Sequence, residues 1–213
     1  MKEVIQAVEQ QVKKLFENEG TGHDWFHIDR VRNIALKIQE KEGGNREVIE
    51  LAALLHDISD HKFNGGDFEK GAEVASQILD HLNVNIETKL AVALIVKYVS
   101  FKGSGEKDTM DSLEGKIVQD ADRIDAIGAI GVARTFAYGG SIGQPIYDPA
   151  IPPKIKQSKE SYIKERTHTV NHFYEKLLIL KDRMHTHSGK VIAEKRTLFM
   201  EEFLDQFYEE WGG

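Results

Sequence analysis

Apolar residues recur every three or four positions along most of the chain. Val4, Ile5, Val8, Val12, Leu15 and Phe16 predict a helix over 2–17, stopped by Gly20-Thr21-Gly22. Ile28, Val31, Ile34, Ala35 and Ile38 predict a second over 25–41, ended by Gly43-Gly44-Asn45. The third, over 46–58, is unusually apolar through Val48, Ile49 and Leu51 to Leu55, which marks it as central and buried. Further helices are expected over 68–82, 86–99 and 112–136, separated by loops at Asn64-Gly65-Gly66 and Gly103-Ser104-Gly105. Tyr138 to Pro153 then holds Gly139, Gly140, Gly143 and all four prolines, a loop long enough to suggest function. Helical patterns return over 160–184 and 190–211, the latter with an aromatic stripe of Phe199, Phe203, Phe207 and Tyr208. No strand alternation and no internal repeat compete, so the expected architecture is all-α, one domain over 1–213.

Composition narrows the chemistry. The 213 residues carry 28 basic and 35 acidic side chains, a net charge of −7, which speaks against a nucleic-acid partner. There is no cysteine, so disulfides, thiolate metal sites and thiol nucleophiles are excluded. Any transition metal must sit on histidine, carboxylate and water. The start, Met1-Lys2-Glu3-Val4, leads into charge rather than an apolar leader, and no apolar run approaches a membrane span. A cytoplasmic protein with no membrane partner is expected.

Three places concentrate histidine and aspartate beside apolar helix. In His23-Asp24-Trp25-Phe26-His27 the two histidines are four apart, a spacing seen in zinc peptidases, but the third ligand and the glutamate base of that class are missing. His56-Asp57 ends the most apolar helix. Neighbours there point about 100° apart, so they can flank one ion only near a helix terminus or in a widened cleft; capping or hydrogen bonding is the plainer alternative. In Asp120-Ala121-Asp122-Arg123-Ile124-Asp125, Asp122 and Asp125 share a helix face, as a ligand and its orienting partner would, while Asp120 points elsewhere and would serve as a helix-start cap.

The order His27, His56-Asp57, Asp122 resembles the signature of the HD-domain metal-dependent phosphohydrolase superfamily. The wording of Gly22 to Val31, Leu54 to Ile58 and Gln119 to Gly128 is similar to its bacterial branch of nucleoside-triphosphate pyrophosphohydrolase-like proteins, and Phe173 to Leu177 and Met184 to Thr186 extend the likeness. The resemblance implies an HD-domain helical bundle with metal core at 20–135, a Gly/Pro-rich loop at 136–159, and additional C-terminal helices at 160–211 that complete a substrate pocket. It implies His27, His56, Asp57 and Asp122 as ligands, Asp120 being the alternative to Asp122. The segment Lys97-Tyr98-Val99-Ser100 lacks the extra histidines of two-metal members, which implies one divalent ion: Mn, Mg, Ni, Co or Fe.

The implied reaction is hydrolysis of a (deoxy)nucleoside triphosphate to monophosphate and pyrophosphate. A nucleoside-monophosphate phosphatase and a non-catalytic nucleotide-binding regulator are the alternatives. Asp60 or Asp57 would orient the water or accept its proton. Phosphate contacts are assigned to His23, Lys62, Arg123, Arg134, Lys176, Lys190 and Arg196, and Tyr147 to the base. The partner is a small nucleotide, and the protein is a monomer or homodimer.

Overall fold

The computed structural model describes residues 1–17, 24–58, 69–100, 108–155 and 167–212. Among them there is no strand. The helices are α1 Lys2–Leu15, α2 Trp25–Glu42, α3 Arg46–Leu55, α4 Glu69–His81, α5 Ile86–Tyr98, α6 Leu113–Asp125, α7 Gly128–Ser141, α8 Asn171–Glu175, a 3-10 helix Leu177–Arg183, and α9 His187–Gly212. None of these helices is long and apolar enough to cross a membrane. The chain packs as two compact units, Met1–Ser100 with Thr109–Asp122, and Phe101–Asp108 with Arg123–Gly213.

In the first unit α3 is the centre. Every residue from Val48 to Leu55 is buried, as its apolar sequence requires, and the helix packs against α1, α2 and α5. Burial of a run like Leu51, Leu54 and Leu55 contributes about 1.5–3 kcal/mol per side chain. Its start is set by Asn45, whose Oδ1 accepts from the amides of Glu47 and Val48. Glu50 is the exception in this run. Arg32 of α2 donates from Nε to Glu50 Oε1 at 2.9 Å and from its NH1 group to Glu9 of α1 at 3.0 Å, so one guanidinium ties three helices. Burial pulls the Arg32 pKa down, but the bonds and charges of Glu50 and Glu9 outweigh it and hold it above its ordinary value. Gln119 of α6 donates to the carbonyls of Tyr98 and Val99, both at 3.1 Å, which ties α6 to the end of α5.

In the second unit α9 packs on α7 and on the 3-10 helix. The helix expected over 112–136 is broken at Ala126-Ile127. Gly128 adopts φ +77°, a value that favours glycine, and Arg196 of α9 donates to the carbonyl oxygens of Ile124 and Ile127, supplying the partners that a continuous helix would have supplied. The restarted helix runs to Ser141, into the segment expected to be loop. Residues 167–183 do not form the expected single helix but the short α8 and the 3-10 turn, and α9 begins at His187, before the expected 190. The break is tightly packed: a Cβ on Gly131 would lie 2.2 Å from the Ala126 carbonyl oxygen. Gly131→Ala is therefore expected to destabilise the protein by about 2 kcal/mol despite alanine's better helix propensity, read from the midpoint of chemical denaturation.

Candidate metal centre

The first turn of α2, the end of α3 and the later part of α6 meet around two imidazoles. Asp24 caps α2, its Oδ1 accepting from the His27 amide at 2.9 Å, and this places His27 in the first turn facing the core. His56 is the cap residue that ends α3, and Asp57 follows it out of the helix. At this terminus the two neighbours do face one point. His56 Nε2 lies 3.2 Å from His27 Nε2. Asp57 Oδ2 is 3.4 Å from His27 Nε2 and 3.6 Å from His56 Nε2. Asp122 Oδ1 approaches from α6, at 3.6 Å and 3.8 Å from the same two atoms.

These distances fit a cation. Side chains that share one ion about 2.1 Å away sit roughly 3–3.5 Å from one another. His56 Nδ1 donates to the Ala53 carbonyl at 2.8 Å, because a carbonyl can only accept, which leaves Nε2 as the nitrogen that faces the cluster and can offer a lone pair to a cation. The donor set of nitrogen and carboxylate oxygen, with no sulfur, suits a divalent first-row ion or magnesium. The side chains of both histidines are 1% exposed, Asp57 is 12% and Asp122 28% exposed, so the cluster opens on the carboxylate side. His27, His56 and Asp57 form a triad able to hold a metal ion. Asp120, by contrast, is fully buried.

The other candidates fall in different surroundings. His23, Asp60 and Lys62 lie outside the described residues. Arg123 is buried and pairs with Asp108 while donating to the Arg183 carbonyl. Asp125 is fully buried and accepts from Arg134 at 2.9 Å. Arg196 serves the carbonyls at the helix break. Lys176 is half-buried at the end of α8, and Lys190 is exposed on α9. Tyr147 stands edge-on to His168, Phe207, Tyr208 and Trp211. Burial, aided by a bond with Tyr174, raises the neighbouring Tyr208 hydroxyl pKa well above its ordinary value. Sequence reasoning missed three supports of the cluster: the Asp24 cap, the Ala53 carbonyl and the Arg32–Glu50 pair. Two had visible signals, an aspartate three residues before His27 and one glutamate inside an apolar helix.

The HD domain family model matches residues 25–127, the span that holds all three helices of the cluster. YpgQ of Bacillus subtilis, an uncharacterized protein, is 36% identical across the whole of this chain and 97% of its own. The chain belongs to the HD-domain superfamily. An HD-superfamily hydrolase from Bacillus thuringiensis is 44% identical, with a TM-score of 0.77 over 100% of this chain and 98% of that one. A Lactobacillus plantarum protein is 37% identical, with a TM-score of 0.86 over 98% and 96%. The structure of YpgQ in complex with ADP aligns with a TM-score of 0.72, 32% identity, and coverage of 95% and 97%. The HD fold and the His27–His56–Asp57 triad together support phosphohydrolase chemistry.

Proposed function

We propose that this HD protein hydrolyses nucleoside or deoxynucleoside triphosphates to the monophosphate and pyrophosphate, using one divalent cation (Mn, Mg, Ni, Co or Fe). His27, His56, Asp57 and Asp122 hold the cation, and the convergence of both Nε2 atoms with the Asp57 and Asp122 carboxylates carries this reading. A cation so held supplies acidification of water and polarisation of a phosphoryl group. The Ala53 carbonyl keeps the His56 ring in the tautomer that binding needs, and the Asp24 cap holds His27 in register. Asp60, close in sequence to Asp57, orients the attacking water and accepts its proton. His23, Lys62, Arg123, Arg134, Lys176, Lys190 and Arg196 contact phosphates, and Tyr147 meets the base. ADP bound to the relative YpgQ supports a nucleotide as substrate. The net charge of −7 favours a free nucleotide over a nucleic acid.

The deciding experiment is product analysis over a panel of ribo- and deoxynucleotides with Mn, Mg, Ni and Co. Pyrophosphate and monophosphate in equal amounts are expected. Orthophosphate without pyrophosphate would overturn cleavage between the α and β phosphates and favour a phosphatase. Asp122→Ala is expected to weaken metal binding about tenfold or more, measured by metal titration, because it removes a direct partner of both imidazoles. Asp120→Ala is expected to lower thermal stability instead, since that carboxylate is fully buried.

A further inference from the structure

Helix α5 carries apolar residues on two opposite sides. Val92, Ile95 and Val96 are buried against α3 and α4. On the other side Ile86, Leu90 and Leu94 are 61%, 59% and 55% exposed. Their spacing of four residues puts them in one continuous stripe. A surface helix of a globular protein ordinarily presents polar residues there, and a run of large exposed side chains marks an interaction site. The stripe is flanked by Glu87 near its start and Lys97 near its end.

We propose that this stripe is a homodimer interface, in which α5 of one copy packs antiparallel on α5 of a second. The charge pattern selects the partner. An antiparallel pair has a two-fold axis, and each residue meets the one equally far beyond the axis. Set beside Val92, that axis places Leu90 against Leu94 of the other copy, and the same axis brings Glu87 within reach of the other copy's Lys97. One register therefore satisfies both the apolar and the charged positions, twice over. A parallel pairing would set Glu87 near Glu87 and Lys97 near Lys97, and like charges there are unfavourable. Lys97 now pairs with Glu69, which is 68% exposed, and its ammonium lies 5.4 Å from the Tyr98 ring; a surface pair of this kind contributes little, so the charge can be shared with a second carboxylate.

The absence of cysteine gives a background-free test on the full chain. Sedimentation of the unaltered protein is expected to show a dimer whose fraction rises with concentration. Leu90→Asp is expected to be monomeric at the same concentrations with unchanged helical content, the position being exposed. Glu87→Lys, which leaves the apolar stripe intact, is expected to weaken the dimer several-fold. Leu90→Cys and Leu94→Cys proteins, mixed and oxidised with diamide, are expected to cross-link well above either alone, since a disulfide needs Cα atoms within about 7 Å. A monomer at every concentration, a dimer that survives Leu90→Asp, or equal cross-linking in the mixture and the single variants would overturn the proposal.

Discussion

His56→Ala is expected to abolish divalent-cation binding and to lower phosphohydrolase activity by at least about a hundredfold. Loss of a mere outer partner of a metal ligand costs 10–100-fold, and His56 stands inside the cluster, 3.2 Å from His27 Nε2. Alanine removes the lone pair and leaves His27, Asp57 and Asp122 without one of the two buried nitrogens that would hold a cation. The check is metal content after dialysis, measured alongside activity. His81→Ala serves as the control, because His81 is exposed at the end of α4 and bonds, among the described residues, to the Gln77 carbonyl of its own helix. Unchanged metal content and hydrolysis in His56→Ala would sink the assignment.

Arg32→Ala is expected to act on stability rather than chemistry, and strongly. It leaves the Glu50 carboxylate inside the most buried helix with no cation, a loss of about 3–5 kcal/mol for a broken buried pair. For a chain of this size that lowers the thermal midpoint by roughly 6–20 °C. Replacing both partners, Arg32→Met with Glu50→Leu, is expected to recover most of the loss, because no uncompensated charge then remains. The pH dependence has a definite sign. The Arg32 pKa is raised on folding, so its contribution is complete below the unfolded value and fades only as pH climbs through the folded one. Between neutral and mildly alkaline pH the loss in Arg32→Ala should therefore stay constant, as thermal melts at several pH values would show.

The helices of the first unit were legible because an apolar period survives in their residues, and α3 because its run is apolar all round. The starts were less so: Asp24, Asn45 and Asn85 cap α2, α3 and α5, and the apolar period alone did not single them out. The break between α6 and α7 was hidden for the same reason. Ala126-Ile127-Gly128-Ala129-Ile130-Gly131 keeps a helical pattern right across it, while the group that makes the break tolerable, Arg196, comes 72 positions after Ile124. Local pattern cannot report a partner that distant. Residues 171–183 failed similarly: they are apolar enough for a helix, and packing takes them as α8 and a 3-10 turn instead. At the cluster, the His56-Asp57 pair stood out as charge at the end of an apolar helix. Asp120 and Asp122 were not separable by spacing alone. They project about 200° apart on α6, and only packing shows that Asp120 turns inward while Asp122 reaches the imidazoles.

The bond from His56 Nδ1 to the Ala53 carbonyl has a spectroscopic consequence. A ring proton held in a 2.8 Å bond, on a side chain 1% exposed, is shielded from exchange with water. It should give a persistent downfield proton resonance well clear of the amide envelope, beside that of buried His168, whose Nε2 donates to the Ile151 carbonyl, while the exposed histidines contribute nothing. Adding a diamagnetic cation should move that line without erasing it, since an ion held by the cluster would meet the opposite nitrogen of the ring. The fold thus carries its own isotope-free probe, one that reports which ring nitrogen is occupied before any substrate is present.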